Sequence, residues 1–231
     1  MHSSNMTIND TVNLLEKTQP FGNEVERCIT LHDFVRDEIS FGFNTGFESV
    51  SPEQTLQLRR GHCNAQADLF RALLEAADIA ARLRFVQLDK QVLRYAVPGP
   101  VFMLLPATLF HAVTEVNVAG KWLNTDSYIF QPAMFHQQIE KLEESGLAVG
   151  FGLTEEATCE WDTIGNAFSQ ARSRDLDKDN QIYTSLEDAL LEKAGNNRLL
   201  GIHFNQWLGC IPGVLRRVSE SYLNSRIEVR R

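Results

Sequence analysis

A thiol, an imidazole and a carboxylate, at Cys63, His111 and Asp126, are the residues of this chain best suited to covalent chemistry. A cysteine attacks a carbonyl as its thiolate, and near neutral pH a free thiol is mostly protonated. In RRGHCNAQADLFRALLEAADI, residues 59–79, Cys63 stands where a turn-forming segment gives way to a run of helix formers. In the first turn of a helix its sulfur would face N–H groups without intrahelical partners and the positive end of the dipole. Both favour the thiolate. The same N–H groups can receive the oxyanion that forms when a carbonyl is attacked. Gly61 lets the backbone turn sharply and keeps the approach open. Taken alone, Cys63 has a competing reading as a buried structural cysteine.

The other two residues lie on HAVTEVNVAGKWLNTDSYIF, residues 111–130, which reads as two strands joined at Ala119-Gly120. With Val118 opposite Lys121, counting outward sets Val113 opposite Asp126 and His111 opposite Tyr128. His111 and Asp126 then share a face as diagonal neighbours. Val113 and Glu115 share that face, with Trp122 and Asn124 across from them. A carboxylate there can orient the imidazole, fix its tautomer and stabilise the imidazolium, leaving the second ring nitrogen for Cys63. A one-residue slip of register would break the alignment.

Other elements must hold these residues in place. Residues 8–17 read as a short helix, interrupted by Pro20 and Gly22. NEVERCITLHDFVRDEI, residues 23–39, carries a helical stripe of Val25, Cys28, Leu31, Phe34, Val35 and Ile39, with Asn23 as N-cap. SFGFNTGFESVSPEQ reads as a loop, and a short helix starts at Ser51-Pro52 and breaks at Gly61. The helix led by Cys63 turns Leu69, Leu73 and Ala76 to one face and ends at Asp78. Residues 81–88 alternate as a strand, and 89–110, with three prolines, read as a loop. Beyond 130 come a helix ending at Gly146, a stretch without a clear pattern, a helix with Thr184 and Glu187 in capping-box spacing, and a further helix around 214–225.

Composition bounds the rest. With 231 residues and 43% apolar content, the chain can bury a core without staples. A formal charge of -8 speaks against nucleic-acid or anionic-membrane partners. The N-terminus lacks a basic start followed by an apolar run, and no apolar stretch reaches membrane-spanning length. Cys28, Cys63, Cys159 and Cys210 are widely spaced, so reduced thiols and a cytoplasmic location are expected.

The blocks GHCNAQADLFRALLEAADIAARLRFV and HAVTEVNVAGKWLNTDSYIF together resemble the transglutaminase-like superfamily of papain-like cysteine enzymes. The resemblance rests on Gly61 and Cys63, Leu73 and Leu74, Ala81 and Arg82, then His111, Ala112, Glu115 and Val116, then Gly120, Trp122 and Asp126. It covers residues 25–130. It implies Cys63 as nucleophile, His111 as general base and acid, and Asp126 as orienting carboxylate. Val113 departs from the tryptophan often found at its position, outside the triad. Relatives also add a side-chain oxyanion donor from upstream of the cysteine. Here the available amides are Asn44, Gln54 and Gln57, and the backbone N–H of Cys63 is the firmer donor.

Other motifs carry less. DLDKDNQIYTSLED, residues 175–188, has acidic residues in the one-three-five spacing of a calcium loop. Asn180 replaces the turn glycine, however, and Leu186 the closing glutamate. On one helix His203 and Cys210 would share a face, but Gly209 weakens that helix and two ligands do not make a metal site. His62 adjoins Cys63, yet adjacent residues on a helix point apart. Arg59 and Arg60 read as a solvated pair before they read as a carboxylate clamp.

The expected fold is therefore α+β and papain-like. A helical lead-in (1–24) precedes a catalytic core (25–130), in which helices pack on an antiparallel sheet. A mostly helical extension (131–231) packs on that core. The expected function is acyl transfer through a Cys63 thioester, from a peptide, amide or thioester substrate to water or an amine acceptor, with no metal or cofactor. A noncatalytic binding module that keeps the fold is the alternative.

Overall fold

The computed structural model describes residues 6–44, 46, 49–176 and 181–192, the backbone of 198–199 and 202–203, and residues 221 and 224. Helix starts follow the capping chemistry of the sequence. α1 (Ile8–Thr18) is closed by a capping box between Thr7 and Asp10. α2 (Glu24–Glu38) is capped by Asn23, which accepts from Glu26 N–H. After β1 (Ser40–Phe41), α3 (Pro52–Leu58) begins with a Ser51–Gln54 capping box and proline in its first turn.

The break after α3 falls at Arg59, in the left-handed region at φ 50°, two residues before the glycine expected to cause it. The chain is then extended as β2 (Arg60–Gly61), which pairs in parallel with β1, Phe41 aligned with Gly61. Here the glycine serves close approach. A Cβ at Gly61 would lie 3.0 Å from Thr55 Cγ2 and 3.2 Å from Ala65 Cβ. α4 (Cys63–Ala76) follows, and Asp78, at φ 60°, turns the chain away from it.

The sheet runs in the order β5-β4-β3-β8 and is antiparallel throughout. Its strands are β3 (Ala81–Asp89), β4 (Thr108–Val118), β5 (Lys121–Thr125) and β8 (Gln181–Tyr183). Val118 pairs with Lys121 and Thr114 with Thr125, the register expected from the two-residue turn. The segment read as a loop between β3 and β4 contains α5 (Gly99–Leu104), and β4 starts at Thr108, paired with Asp89.

Past residue 130, α6 (Pro132–Glu144) and the small hairpin of β6 (Val149–Gly150) and β7 (Leu153–Thr154) precede β8 and α7 (Leu186–Leu191). The described extension thus supplies strand and irregular chain as well as helices. The N-cap of α7 is Ser185, accepting from Asp188 N–H, one residue later than the expected Thr184–Glu187 box. Thr184 Oγ1 instead donates to the Asp188 carboxylate. The helix expected around 214–225 lies outside the described residues except at 221 and 224, as do Cys210, the side chain of His203, and residues 177–180 of the calcium-like stretch.

Both faces of the sheet are covered. On one, Leu83, Ala112 and Val116 pack with Leu31, Val35, Leu69 and Leu73 from α2 and α4. On the other, Val86, Leu88 and Val113 pack with Phe168 and Ala171 from the extension. Burying an aliphatic side chain of this size contributes about 1.5–3 kcal/mol, so the α4 face is a principal source of stability. Leu73 is 0% exposed. Leu73→Ala should therefore cost about 2–5 kcal/mol in urea unfolding, through lost transfer energy and the cavity left behind.

Candidate active site

Cys63 is the first residue of α4, as expected, and the start of this helix differs from those of α1, α2, α3 and α7. His62 stands at the N-cap in extended conformation and makes no side-chain cap bond. The first turn also has no acidic residue. The N–H groups beside the sulfur are therefore not taken by a cap, and the dipole acts on the thiol unopposed.

Asn64 fixes that turn against β4. The Val118–Lys121 pair flanks the hairpin turn, so the even-numbered residues of β4 direct their N–H and C=O groups toward β5. β5 ends at Thr125, leaving those groups open at Phe110 and Ala112. Asn64 fills the gap: its Oδ1 accepts from Ala112 N–H at 2.8 Å and its Nδ2 donates to Phe110 C=O at 3.3 Å. The residue after the thiol thus grips the strand on both sides of His111.

His111 is 2% exposed, and its Nε2 lies 2.7 Å from Asp126 Oδ2. Its other ring nitrogen, Nδ1, is left for Cys63, to which His111 is hydrogen-bonded. Asp126 is 0% exposed and sits in a nest of backbone donors. Ser169 N–H donates to Oδ1 at 2.5 Å, Ala171 N–H to Oδ2 at 2.9 Å, and Gln170 N–H is shared between the two at 3.3 and 3.4 Å. The nest is set by a short parallel contact, in which Ala167 C=O accepts from Asp126 N–H and Ala167 N–H donates to Asn124 C=O.

The next residue, Ser127, is anchored from α2. His32 Nε2 lies 2.8 Å from Ser127 Oγ, which is 2.8 Å from Thr125 Oγ1. His32 is buried among Phe70, Tyr128 and Trp161, and that burial lowers its pKa and favours the neutral ring.

The electrostatics follow from the geometry. Burial alone would raise the Cys63 pKa. The charge of His111 and hydrogen bonds from His111 and His62 outweigh it and hold the thiol at about 6. Burial would likewise depress His111, but Cys63 and Asp126 together raise it to about 10. The pair is a thiolate and an imidazolium across neutral pH. By contrast, burial pushes the Cys28 thiol up to about 12.

The structure brings Cys63, His111 and Asp126 together. It also adds residues that the sequence reading left out. His62 does reach the sulfur, because an N-cap residue is not helical and the rule that neighbours point apart does not govern it. Asn64 and His32 carry side-chain signals in hindsight, an amide beside the thiol and an imidazole within an apolar stripe. The nest at 169–171 carries none, since it is made of backbone N–H groups. Of the upstream amides, Gln57 is exposed and Gln54 is engaged in the α3 capping box. Asn44 is 7% exposed, and its Nδ2 meets no acceptor among the described residues. Arg59 makes an exposed ion pair with Glu38 at 3.4 Å, the solvated role expected of it.

With this geometry established, comparison with known proteins is direct. The model of the transglutaminase-like superfamily matches residues 13–127. These residues form a transglutaminase-like core. No curated protein matches the chain. A crystal structure from Cytophaga hutchinsonii, described as a candidate cysteine protease, aligns at 21% identity with a TM-score of 0.38, covering 54% of this chain. This chain spans 38% of that one. The transglutaminase-like match ends one residue after Asp126, so the nest that holds the carboxylate lies in chain beyond it.

Two measurements check the site. Cys63 alkylation by iodoacetamide should rise with pH around a midpoint near 6, and His111→Ala should return that midpoint toward the ordinary thiol range near 8.5. Asp126→Asn should destabilise the protein by about 1–3 kcal/mol in urea, because each carboxylate oxygen accepts from at least two donors and an amide NH2 must face one set of them.

Proposed function

We propose that the protein is an acyl-transfer enzyme with Cys63 as nucleophile, His111 as general base and acid, and Asp126 as the carboxylate that orients His111. The observation that carries this reading is the buried 2.7 Å contact between His111 Nε2 and Asp126 Oδ2, with the remaining ring nitrogen turned to a thiol at an uncapped helix start. A structural cysteine needs neither a paired imidazole nor open N–H groups.

At neutral pH the proton of Cys63 already rests on His111, which leaves the sulfur as a thiolate. The thiolate attacks the carbonyl carbon of an amide or thioester, and the carbonyl π electrons move to oxygen. That oxyanion is received by N–H groups in the first turn of α4. Asn44 Nδ2 is the side-chain donor we assign beside them. It follows the stretch that Gly42 N–H ties to Gly61 C=O at 3.0 Å and that Asn224 clamps at both backbone groups of Phe43. Collapse breaks the bond to nitrogen or sulfur, and His111 gives its proton to the leaving amine or thiol. Water or an amine then attacks the Cys63 thioester, loses its proton to His111, and releases the acid or the new amide.

The same core can work as a peptidase, an amidase, a transamidase or an amide-forming acyltransferase, and its triad serves all four. Among the described residues no helix is long and apolar enough to cross a membrane. Cys28, Cys63 and Cys159 are free thiols, which supports a reducing compartment such as the cytoplasm.

The acylation rate should rise with pH through about 6 as the thiolate forms. It should fall through about 10 as the imidazolium that protonates the leaving group is lost. Intact-mass analysis after mixing with peptide, amide and thioester donors should trap an acyl group on Cys63, and Cys63→Ala should carry none. Asn44→Ala should lower the acylation rate by about 10²–10³-fold while the iodoacetamide profile of Cys63 stays unchanged. A protein that forms no adduct with any donor, and whose Cys63 titrates like a free thiol, is a binding module.

A further inference from the structure

A pocket of about 300 Å³ is lined by Phe41, Phe130, Met134, Tyr95 and Phe151, with Gln170 and Lys141 among its polar residues. The triad residues do not line it, but two lining residues connect it to them. Phe41 pairs with Gly61, two residues before Cys63. Gln170 donates its N–H to Asp126, and its side-chain Nε2 bonds Gly152 C=O in the pocket wall at 3.0 Å. The wall is shared between the matched core and the chain beyond it, the latter supplying Phe130, Met134, Gln138, Lys141, Phe151, Gly152 and Gln170.

We propose that this pocket is the substrate subsite. It takes an aromatic or branched aliphatic arm bearing a carboxylate at its far end. The assignment rests on the acyl-transfer reading for its role.

Three observations carry it. First, the lining is aromatic and apolar, and a cavity of this kind binds by excluding water from flat or branched hydrocarbon. Second, its outer wall is a fixed turn rather than a free loop. Tyr95 and Phe151 both adopt left-handed backbone, φ 64° and 55°, which bulky residues rarely do. Their rings stack at 5.1 Å between centroids, and Phe151 N–H donates to Arg94 C=O at 2.6 Å. Phe151 and Gly152, at φ 89°, are the two turn residues of the β6–β7 hairpin, where both positions require positive φ, so this wall is pre-formed.

Third, the charge is placed at one end. Met134, Gln138 and Lys141 lie at i, i+4 and i+7 on α6, one helical face about 10 Å long at 1.5 Å per residue. α6 starts just after Phe130, near the triad, so Lys141 marks the distal end. It is the only charged side chain lining the pocket among the described residues. Its hydrogen-bond partner there is the neutral Gln137 Oε1, at 3.1 Å. In a chain of net charge -8, a pocket with a lone cation and no carboxylate in its lining selects an anionic end.

The test is calorimetric titration of the whole protein with 4-phenylbutyrate, 4-phenylbutanol and butyrate. 4-Phenylbutyrate should bind saturably and tightest, and butyrate should not bind. Lys141→Met should weaken 4-phenylbutyrate about tenfold and leave 4-phenylbutanol unchanged. Ala96→Trp and Met134→Trp, which fill the space from two sides, should each weaken both aromatic probes at least tenfold. In both variants the urea unfolding midpoint should match the parent, which shows the protein still folded. Bound 4-phenylbutyrate should also slow iodoacetamide alkylation of Cys63 in the parent.

Absence of saturable binding, filling variants that bind as the parent does, or binding without protection of Cys63 would each overturn the subsite. Equal binding of the acid and the alcohol would overturn the anionic end. An ordinary Cys63 titration alongside intact probe binding would instead count against the catalytic reading and leave the pocket standing as a binding site.

Discussion

A carboxylate taken wholly out of water must be met by donors on both oxygens, or it costs several kcal/mol. Asp126 is such a group, and the way it is met organises the molecule. One donor, His111, comes from the central strand. The others are N–H groups of residues 169–171, from chain more than forty residues further on. The folded extension therefore completes the charge balance of the core. Without that nest, Asp126 would be a buried anion with a single partner, and its hold on His111 would compete with its own need for solvation. The same segment sends Phe168 and Ala171 onto the sheet face that His111 shares, so solvation of the carboxylate and packing of the strand come from one stretch.

A second constraint acts at right angles to the first. Strand pairing stops where β5 ends, yet β4 continues past His111 with edge groups that must be paired. Asn64 pairs them, and in doing so carries Cys63 to the strand. The distance between Cys63 and His111 is then set by two hydrogen bonds from the Asn64 side chain to main chain. His32 and Ser127 do the corresponding work on the carboxylate side, tying the turn after Thr125 to α2. Each reacting group is thus held by a neighbour one residue away: Cys63 by Asn64, Asp126 by Ser127, and His111 by Ala112 and Phe110.

This arrangement explains what could be read from the sequence. The start of α4, the hairpin register and the shared face of His111 and Asp126 all follow from local rules, namely helix-former runs, a two-residue turn and a period of two. The Ser51 and Asn23 caps obey the same kind of rule. What escaped was nonlocal or made of backbone. Residues 167–171 have no periodicity because their job is to present N–H groups to a carboxylate, which any side chain permits. β8 is three residues long and is defined by its partner β3, not by its own pattern. The break at Arg59 in place of Gly61 shows a related limit. A glycine marks where the chain needs freedom or space, and here it needed space against Thr55 and Ala65.

The reach of the extension also bears on specificity. In the acyl-transfer reading proposed above, a core of about half the chain carries the three reacting groups, and its chemistry is indifferent to what is attached to the carbonyl. Selection has to come from walls, and the walls of the pocket beside the triad are built by α6, by the β6–β7 turn and by the segment before α5. Gln170 belongs to both systems, with its N–H on Asp126 and its side chain on Gly152. A shift of the pocket wall would therefore be felt at the carboxylate through a single residue. If the proposed subsite holds an arm of the substrate, binding energy gained there has a direct route to the alignment of His111. That favours use of the arm to raise the rate of the chemical step as well as to tighten binding.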